Sequence, residues 1–249
     1  MKKRVDILLV ERGLCESRTR AQAVVMEGKV RVAGQVERKP SRLVDANAPL
    51  EVVSPPRFVS RGGEKLEGAF AKFPGLSADG RVCLDVGSST GGFTDCLLQH
   101  GAKRVMAVDV GTNQLAWTLR VDPRVWVKEN FNARYMTPAD LPETPALAVT
   151  DVSFISLRLI LPPICGVLRP GGEIVALIKP QFEAGRGNAP GGLVRDEATR
   201  LAARDSIVEF ARSELALELL GLEESPVRGR EMGNIEYLSY WRLGTSPGR

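Results

Sequence analysis

Apolar runs that end in polar residues recur through the last three quarters of the chain, with helical patterns between them. Five such runs, which we predict to be buried strands, cover residues 82–86, 104–108, 125–127, 146–150 and 173–178. Strands that alternate with helices pair in parallel, so the pattern predicts an α/β sheet. In an open sheet of this kind the carboxyl ends of the strands form the functional edge, where the polar residues fall.

Further elements frame this sheet. Apolar residues at helical spacing predict a helix that opens near Arg61, before the first strand. Another helix is predicted over 197–213, followed by strands near 215–220 and 235–243 that pair antiparallel and close the sheet. Residues 181–195 are rich in glycine and poor in apolar side chains, which predicts a mobile loop beside the site.

The first 53 residues follow a different pattern. Apolar spacing predicts a helix from Val5 to Arg12, and Ser17 caps a second predicted helix that Gly28 stops. Alternating apolar residues between 30 and 53 predict a small curled β unit. Prolines at 55 and 56 continue neither strand nor helix, so we predict domains over 1–54 and 64–249 with a linker over 55–63.

The stretch from Arg81 to Gly92, RVCLDVGSSTGG, turns a predicted strand sharply into a helix that begins at Phe93. Glycine allows a backbone and a ligand to approach this closely. The spacing D-x-G-x-x-x-G-G differs from the G-x-G-x-x-G dinucleotide fingerprint, and no Lys-Ser or Lys-Thr follows as in a phosphate-binding loop. These features favour S-adenosylmethionine, which carries no phosphate; an ordinary glycine turn is the alternative.

The predicted cofactor contacts extend beyond this stretch. Asp109 follows the second strand, where a carboxylate accepts hydrogen bonds from both hydroxyls of a ribose. Asn132 is predicted near the adenine edge, with a turn residue as an equal alternative. The predicted set is Asp85, Gly87, Ser88, Ser89, Gly91, Gly92, Phe93, Asp109, Asn132 and Asp151.

The positive charge of the chain is concentrated at its beginning. The 249 residues carry a net charge of +4 and a pI of about 9.0, yet residues 1–60 hold 12 Lys and Arg against 7 Asp and Glu. This surplus of +5 predicts a polyanionic partner, with a solvated basic face as the alternative.

Several classes of protein are not expected. The apolar run after Lys2 and Lys3 is too short for a secretion signal, and no stretch approaches a membrane span. The four cysteines are scattered, and His100 is the single histidine, so neither a disulfide framework nor a metal site is predicted. We expect a reduced, cytoplasmic protein with no stable membrane association.

Four charged residues fall near strand ends or helix starts: Lys65, Asp151, Lys179 and Glu236. Together they match the Lys-Asp-Lys-Glu tetrad of FtsJ-like ribose methyltransferases. Four sequence segments, which include three of these residues and the glycine stretch, match the family as well: SRGGEKL, DVGSSTGGFTD, VTDVSFISL and LIKPQFEAGRG. With the basic front segment, the chain resembles the TlyA family, also labelled hemolysin, over nearly its whole length.

This resemblance implies a Rossmann-like S-adenosylmethionine-dependent methyltransferase sheet preceded by a small α+β RNA-binding domain. It implies 2′-O-methylation of ribosomal RNA within ribosomal subunits, of cytidine in 16S RNA, 23S RNA or both. A ribose hydroxyl needs a proton acceptor, here Lys179, while Lys65 orients the ribose. Exchanging the roles of the two lysines fits the sequence nearly as well, and Asp151 would also face the sulfonium methyl.

The first 50 residues resemble the RNA-binding domain named after ribosomal protein S-four, which implies contacts with structured RNA. Its candidate RNA-binding residues are Arg4, Arg18, Arg20 and Lys39. In the second domain Phe154 would stack on the target base, with a core position as the alternative.

Three other functions compete with this hypothesis. A membrane-lytic hemolysin lacks a predicted apolar span. A non-catalytic RNA-binding scaffold is at odds with the intact tetrad and glycine stretch. A small-molecule methyltransferase is disfavoured by the basic front domain.

Overall fold

The structure is a computed structural model that describes residues 1–53, 56–185, 187–229 and 232–244. The chain divides into two compact units, Met1–Arg57 and Phe58–Arg249. Ser54 and Pro55, at the predicted domain boundary, lie outside the described residues. Each unit encloses a hydrophobic core of its own.

The first unit contains two short helices and two small antiparallel sheets. Its elements are β1 (Lys2–Arg4), α1 (Val5–Glu11), α2 (Arg18–Met26), β2 (Val30–Val32), β3 (Gln35–Glu37), β4 (Leu43–Asp45) and β5 (Leu50–Val52). Strand β1 pairs with β4, and β2 lies between β3 and β5. The Ser17 hydroxyl accepts a hydrogen bond from the Arg20 amide, which confirms the predicted cap of α2.

The second unit is built on one seven-stranded sheet. Its helices are α3 (Gly62–Lys72), α4 (Gly92–Gln99), α5 (Trp117–Arg120), α6 (Leu161–Val167), α7 (Pro180–Glu183) and α8 (Glu197–Leu215). Its strands are β6 (Val82–Val86), β7 (Arg104–Val108), β8 (Val125–Lys128), β9 (Leu147–Thr150), β10 (Glu173–Ile178), β11 (Leu217–Glu224) and β12 (Tyr237–Leu243).

The strand order is β11-β12-β10-β9-β6-β7-β8, with β12 antiparallel to both of its neighbours and the remaining pairs parallel. The chain runs outward from β6 to β8 and then returns to β9 on the other side of β6. Such a reversal opens a crevice at the carboxyl ends of the two central strands. The α/β fold class predicted from the sequence is confirmed.

Helices cover both faces of this sheet because the buried strands are apolar on both sides. In β7, Val105 and Ala107 belong to the core cluster that includes side chains of α3 and α4. Met106 and Val108 belong to the cluster that includes side chains of α6 and α8.

All five predicted central strands are confirmed to within one residue. Helix α6 was not predicted, because Pro162 and Pro163 suggest a break. Both prolines lie in its first turn, where backbone amides need no helical partner. Part of the predicted loop over 181–195 is also regular, since Gln181 to Glu183 belong to α7 and residues 190–192 form a 3₁₀ turn.

Candidate active site

Paired glycines bring the first turns of α3 and α4 together. A Cβ atom on Gly92 would lie 2.7 Å from the amide nitrogen of Gly63 and would overlap Ser60 Oγ. Any larger residue at position 92 would therefore force the two helix starts apart. This approach places Lys65, near the start of α3, on the same cavity as the loop that precedes α4.

The loop between β6 and α4 is held by a left-handed glycine and by a carboxylate. Gly87 has a φ of +81°, and a Cβ atom there would lie 2.9 Å from Val152 Cγ1. Asp109 accepts hydrogen bonds from the amides of Ser89 at 2.8 Å and Gly111 at 2.6 Å. The acid predicted to hold a ribose thus also shapes the loop, and its oxygens keep lone pairs for a ligand.

Asp85 lies beneath this loop and is fully buried. Its Oδ2 accepts a hydrogen bond of 2.7 Å from Thr94 Oγ1, on α4, and its Oδ1 has no hydrogen-bond partner among the described residues. Burial raises the pKa of Asp85 to about 7, against the opposing hydrogen bonds from Thr94. Asp85 therefore supports the start of α4 from below, and it does not line the cavity.

The four residues of the predicted tetrad converge at one edge of the sheet. Asp151 directly follows β9, Lys179 directly follows β10, and Glu236 directly precedes the antiparallel β12. Because β9, β10 and β12 are neighbours, these three side chains meet at the same edge. Helix α3 delivers Lys65 to them.

Two carboxylates alternate with two ammonium groups in this cluster. Lys65 Nζ lies 2.8 Å from Glu236 Oε2 and 3.2 Å from Asp151 Oδ2. Lys179 Nζ lies 2.6 Å from Asp151 Oδ1 and donates a hydrogen bond of 2.8 Å to Ser153 Oγ. Asp151 therefore bridges the two lysines, while the Glu236 carboxylate is ion-paired with Lys65.

The two lysines differ in their electrostatic surroundings. Burial disfavours the ammonium of Lys65, but the charges of Asp151 and Glu236 and their hydrogen bonds outweigh this effect and raise its pKa. Lys179 pairs with a single carboxylate and with the uncharged hydroxyl of Ser153. The site thus holds one lysine firmly as a cation and leaves the other with fewer charged partners.

The cluster forms part of the wall of a cavity of about 710 Å³ in the second unit, large enough for a nucleoside-sized ligand. Its lining includes all four tetrad residues together with Gly87, Ser88, Ser89, Thr90, Gly92 and Phe93. Of the predicted cofactor residues, Asp85, Gly91, Asp109 and Asn132 are not part of this lining.

Asn132 is exposed and serves a turn. Its side chain accepts a hydrogen bond of 3.2 Å from the amide of Arg134 and caps the 3₁₀ turn Ala133–Tyr135. This contact is the one expected if Asn132 is a turn residue, which was the alternative to a cofactor contact.

Phe154 lies at the cavity wall and is 80% exposed, so the core alternative is wrong. Its φ of +63° is unusual for a bulky residue. Its ring centroid lies 5.3 Å from that of Phe182, in α7, at an interplanar angle of 51°. Two aromatic faces are therefore available beside the tetrad.

Sequence reasoning missed several residues of the cavity lining: Ser60, Arg61, Ser153, Gln181, Phe182, Arg228 and Asn234. Ser153 and Phe182 stand inside the words VTDVSFISL and LIKPQFEAGRG, which adjoin tetrad residues. Their proximity to Asp151 and Lys179 was an available signal. Arg228 and Asn234 lie in a loop whose path the sequence pattern does not indicate.

The candidate RNA-binding residues of the first unit fall into two groups. Arg4 and Arg18 both contact the buried carboxylate of Asp6, at 2.8 Å and 3.3 Å. These hydrogen bonds, of which that of Arg4 has the largest effect, hold the pKa of Asp6 well below its usual range. They outweigh the burial of the carboxylate, which acts in the opposite direction. Arg20 and Lys39 are exposed and make no ion pair within the described parts of the chain.

His100 follows α4, as predicted for a helix end. Its Nε2 lies 2.7 Å from Glu67 Oε2, and its ring stacks on Phe70 at 3.9 Å. Cys96 Sγ lies 3.8 Å from the same Glu67 oxygen. These three atoms, which are potential metal ligands, lie within 4.8 Å of one another. The polar contact with Glu67 and the stacking on Phe70 account for the position of the histidine.

The lining of the cavity fits S-adenosylmethionine chemically. Backbone and hydroxyl groups of Ser88, Ser89 and Thr90 can bond the amino-acid end of the cofactor, and Asp109 beside them can accept from a ribose. Asp151 provides a carboxylate on the same cavity, which suits a sulfonium cation.

The seven-stranded sheet and the four charged residues at its edge are what the resemblance to FtsJ-like methyltransferases implies. The chain belongs to the FtsJ-like methyltransferase family, which matches residues 58–242, and an S4 domain matches residues 3–50. No helix among the described residues has the length and apolarity needed to span a bilayer.

Its relatives confirm the resemblance to the TlyA family. The chain is 46% identical over 247 residues to the 16S/23S rRNA (cytidine-2′-O)-methyltransferase TlyA of Mycobacterium tuberculosis, covering 97% of this chain and 90% of that protein. It is 50% identical over 240 residues to YqxC of Bacillus subtilis, covering 95% and 84%. A solved structure from Streptococcus thermophilus, named as a hemolysin, aligns with a TM-score of 0.75 at 45% identity, covering 99% and 90%.

Proposed function

We propose that this protein transfers the methyl group of S-adenosylmethionine to a ribose 2′-hydroxyl of ribosomal RNA, in the cytoplasm. The observation that carries the proposal is the alternation of Lys65, Asp151, Lys179 and Glu236 on the cavity that the glycine loop lines. The name of the M. tuberculosis relative supports cytidine as the target nucleoside and 16S and 23S RNA as substrates.

The cofactor would occupy the loop side of the cavity, held by residues 87–93 with Asp109 beside them. When bound there, it supplies an electrophilic methyl group on a positively charged sulfur. The chain's own residues must then orient the ribose and remove its proton, because a neutral hydroxyl is a poor nucleophile.

Lys179 is the proton acceptor in this proposal. It faces one carboxylate and one neutral hydroxyl, whereas the cation of Lys65 is stabilised by two carboxylates. Lys65 remains charged and stabilises the negative charge that develops on the 2′-oxygen. Asp151 and Glu236 position the two ammonium groups.

The RNA would be held at two places. The first unit contributes phosphate contacts through Arg4, Arg18, Arg20 and Lys39, in keeping with its S4 match. In the second unit the exposed ring of Phe154 offers a stacking face for the target base beside the tetrad. Assembled ribosomal subunits are the proposed substrate.

The test is to incubate the protein with labelled S-adenosylmethionine and ribosomal subunits from a strain that lacks ribose methylation, and then to digest the RNA to nucleosides. We expect label in 2′-O-methylcytidine, absent with Lys179→Met. Label on a base, or unlabelled RNA from protein that binds the cofactor, would contradict the proposal. Leakage of liposomes by the pure protein would support the membrane-lytic alternative.

A further inference from the structure

Ser153 is the one hydrogen-bond acceptor of the Lys179 ammonium among the described residues. It lies two positions after Asp151, is exposed on the cavity, and accepts from Lys179 Nζ at 2.8 Å. The contact of Lys179 with Asp151 Oδ1, at 2.6 Å, is an ion pair without hydrogen-bond alignment. The direction of the Lys179 amine is therefore set by a serine outside the tetrad.

We propose that Ser153 is a positioning residue for the methyl transfer, holding the Lys179 amine so that its lone pair faces the cavity. This inference rests on the proposed function. A neutral amine carries two N–H groups and one lone pair in tetrahedral directions around the nitrogen. With one N–H held on Ser153, the carboxylate of Asp151 attracts the other N–H electrostatically, and the lone pair takes the remaining direction, toward the cavity that Lys179 lines.

The neutrality of the serine hydroxyl matters as much as its position. The charged groups around Lys179 are Asp151 after β9, Lys65 from α3, and Glu236 before β12, which contacts Lys65. A second carboxylate at position 153 would give Lys179 the same pair of acidic partners that keeps Lys65 cationic. A hydroxyl orients the amine without stabilising its charged form to that extent.

The backbone around Ser153 is pinned at both ends. Asp151, before it, is ion-paired with both lysines. After it, the amide of Leu157 donates a hydrogen bond of 2.8 Å to Glu183 Oε1, in α7. The left-handed conformation of Phe154 turns the chain between these anchors. A loop fixed in this way can hold a hydroxyl at one position relative to Lys179.

Three substitutions test the inference. Ser153→Ala removes the acceptor, and we expect kcat to fall about 10- to 100-fold because the amine is misoriented, with S-adenosylmethionine affinity within about 2-fold. Ser153→Thr keeps a hydroxyl and should restore most of the activity. Ser153→Asp adds a carboxylate, so the rise of kcat with pH should move to higher pH by about one unit.

Ser156→Ala is the matched control, because its hydroxyl binds Glu183 in the same loop and does not reach Lys179. We expect an unchanged pH profile for this variant. Wild-type activity and pH dependence in Ser153→Ala and Ser153→Asp would overturn the inference, as would an equal shift in Ser156→Ala. If thermal melting shows that Ser153→Ala does not fold, the activity of Ser153→Thr and the pH profile of Ser153→Asp decide whether the inference holds. A wild-type protein that transfers no methyl group to RNA would instead refute the proposed function.

Discussion

Lys65 Nζ and Glu236 Oε2 lie 2.8 Å apart although 171 residues separate them in the chain. Both side chains are buried, with Lys65 9% and Glu236 2% exposed. Their pairing joins the start of α3 to the start of β12 across the sheet edge. It both closes the site and holds one of its two lysines in the charged form.

Replacing Glu236 by Gln should therefore destabilise the protein and impair its activity. The buried ammonium of Lys65 loses one of its two carboxylates, and breaking a buried pair costs about 3 kcal/mol. Glu223→Gln is the matched control, because the Lys72–Glu223 pair has a similar length of 3.0 Å but is exposed. Its removal should change the free energy of unfolding by less than about 1 kcal/mol. Equal losses in the two variants, measured by urea unfolding, would contradict this account.

Asp85→Asn should stabilise the protein at neutral and alkaline pH. Burial raises the pKa of Asp85 from 3.8 to about 7. Between about pH 4 and about pH 7 the folded state therefore keeps a proton on Asp85 that the unfolded state has released. Stability is thus lost as the pH rises from about 4 to about 7, by an amount on the order of 4 kcal/mol. Asparagine resembles the protonated acid and carries no such penalty.

The check is urea unfolding of both proteins between pH 4.5 and pH 8. The advantage of Asp85→Asn should grow with pH across this range and level off above about pH 7. A variant that is less stable than the wild type by the same amount at every pH would show that Asp85 is ionised and needed as a carboxylate.

Substitutions at Phe154 should affect stability through backbone strain and activity through the loss of the ring. A bulky residue with a φ of +63° is strained, by about 1 kcal/mol or more, and glycine relieves that strain. We expect Phe154→Gly to be more stable than Phe154→Ala by about 1 kcal/mol, since both lack the ring. Because base stacking contributes about 1–3 kcal/mol, both should lose at least about 5-fold in kcat/KM for RNA. A Phe154→Ala variant with wild-type kcat/KM would exclude stacking on the target base.

Substitutions of the basic residues in the first unit should differ in their effect on stability. Arg20 is exposed. Arg20→Ala should therefore reduce the slope of log RNA affinity against log salt concentration by about 1 and leave the melting temperature unchanged. Arg4→Ala should also lower the melting temperature, because it removes a partner from the buried Asp6. Filter binding at several salt concentrations and thermal melting measure both quantities. Identical melting temperatures for the two variants would contradict the role given to Asp6.

Much of the fold was accessible from the sequence because the central strands are buried on both faces. A run such as Glu173 to Ile178 is apolar almost throughout and is bounded by turn residues, which leaves little ambiguity. Helix α6 escaped detection because its two prolines are harmless only in a first turn, and a sequence pattern does not show where that turn begins.

The tetrad was accessible for a similar reason. Asp151 and Lys179 follow strand ends, and parallel topology carries such residues to one edge. The partners of these residues were not accessible, since contacts of Lys179 with Ser153 or of Lys65 with Glu236 depend on side-chain directions. Asp85 shows the same limit, because period-2 alternation turns its side chain toward Thr94 and away from the cavity.

The measurement that tests the central claim most directly compares cofactor binding and methyl transfer in one variant, Lys179→Met. This change keeps an unbranched side chain that is one atom shorter and removes the proton acceptor. We predict that the S-adenosylmethionine dissociation constant stays within about 2-fold of the wild type, while the rate of transfer to ribosomal RNA falls by about 100-fold or more. Transfer at the wild-type rate in this variant would contradict the assignment of Lys179 as the residue that accepts the ribose proton.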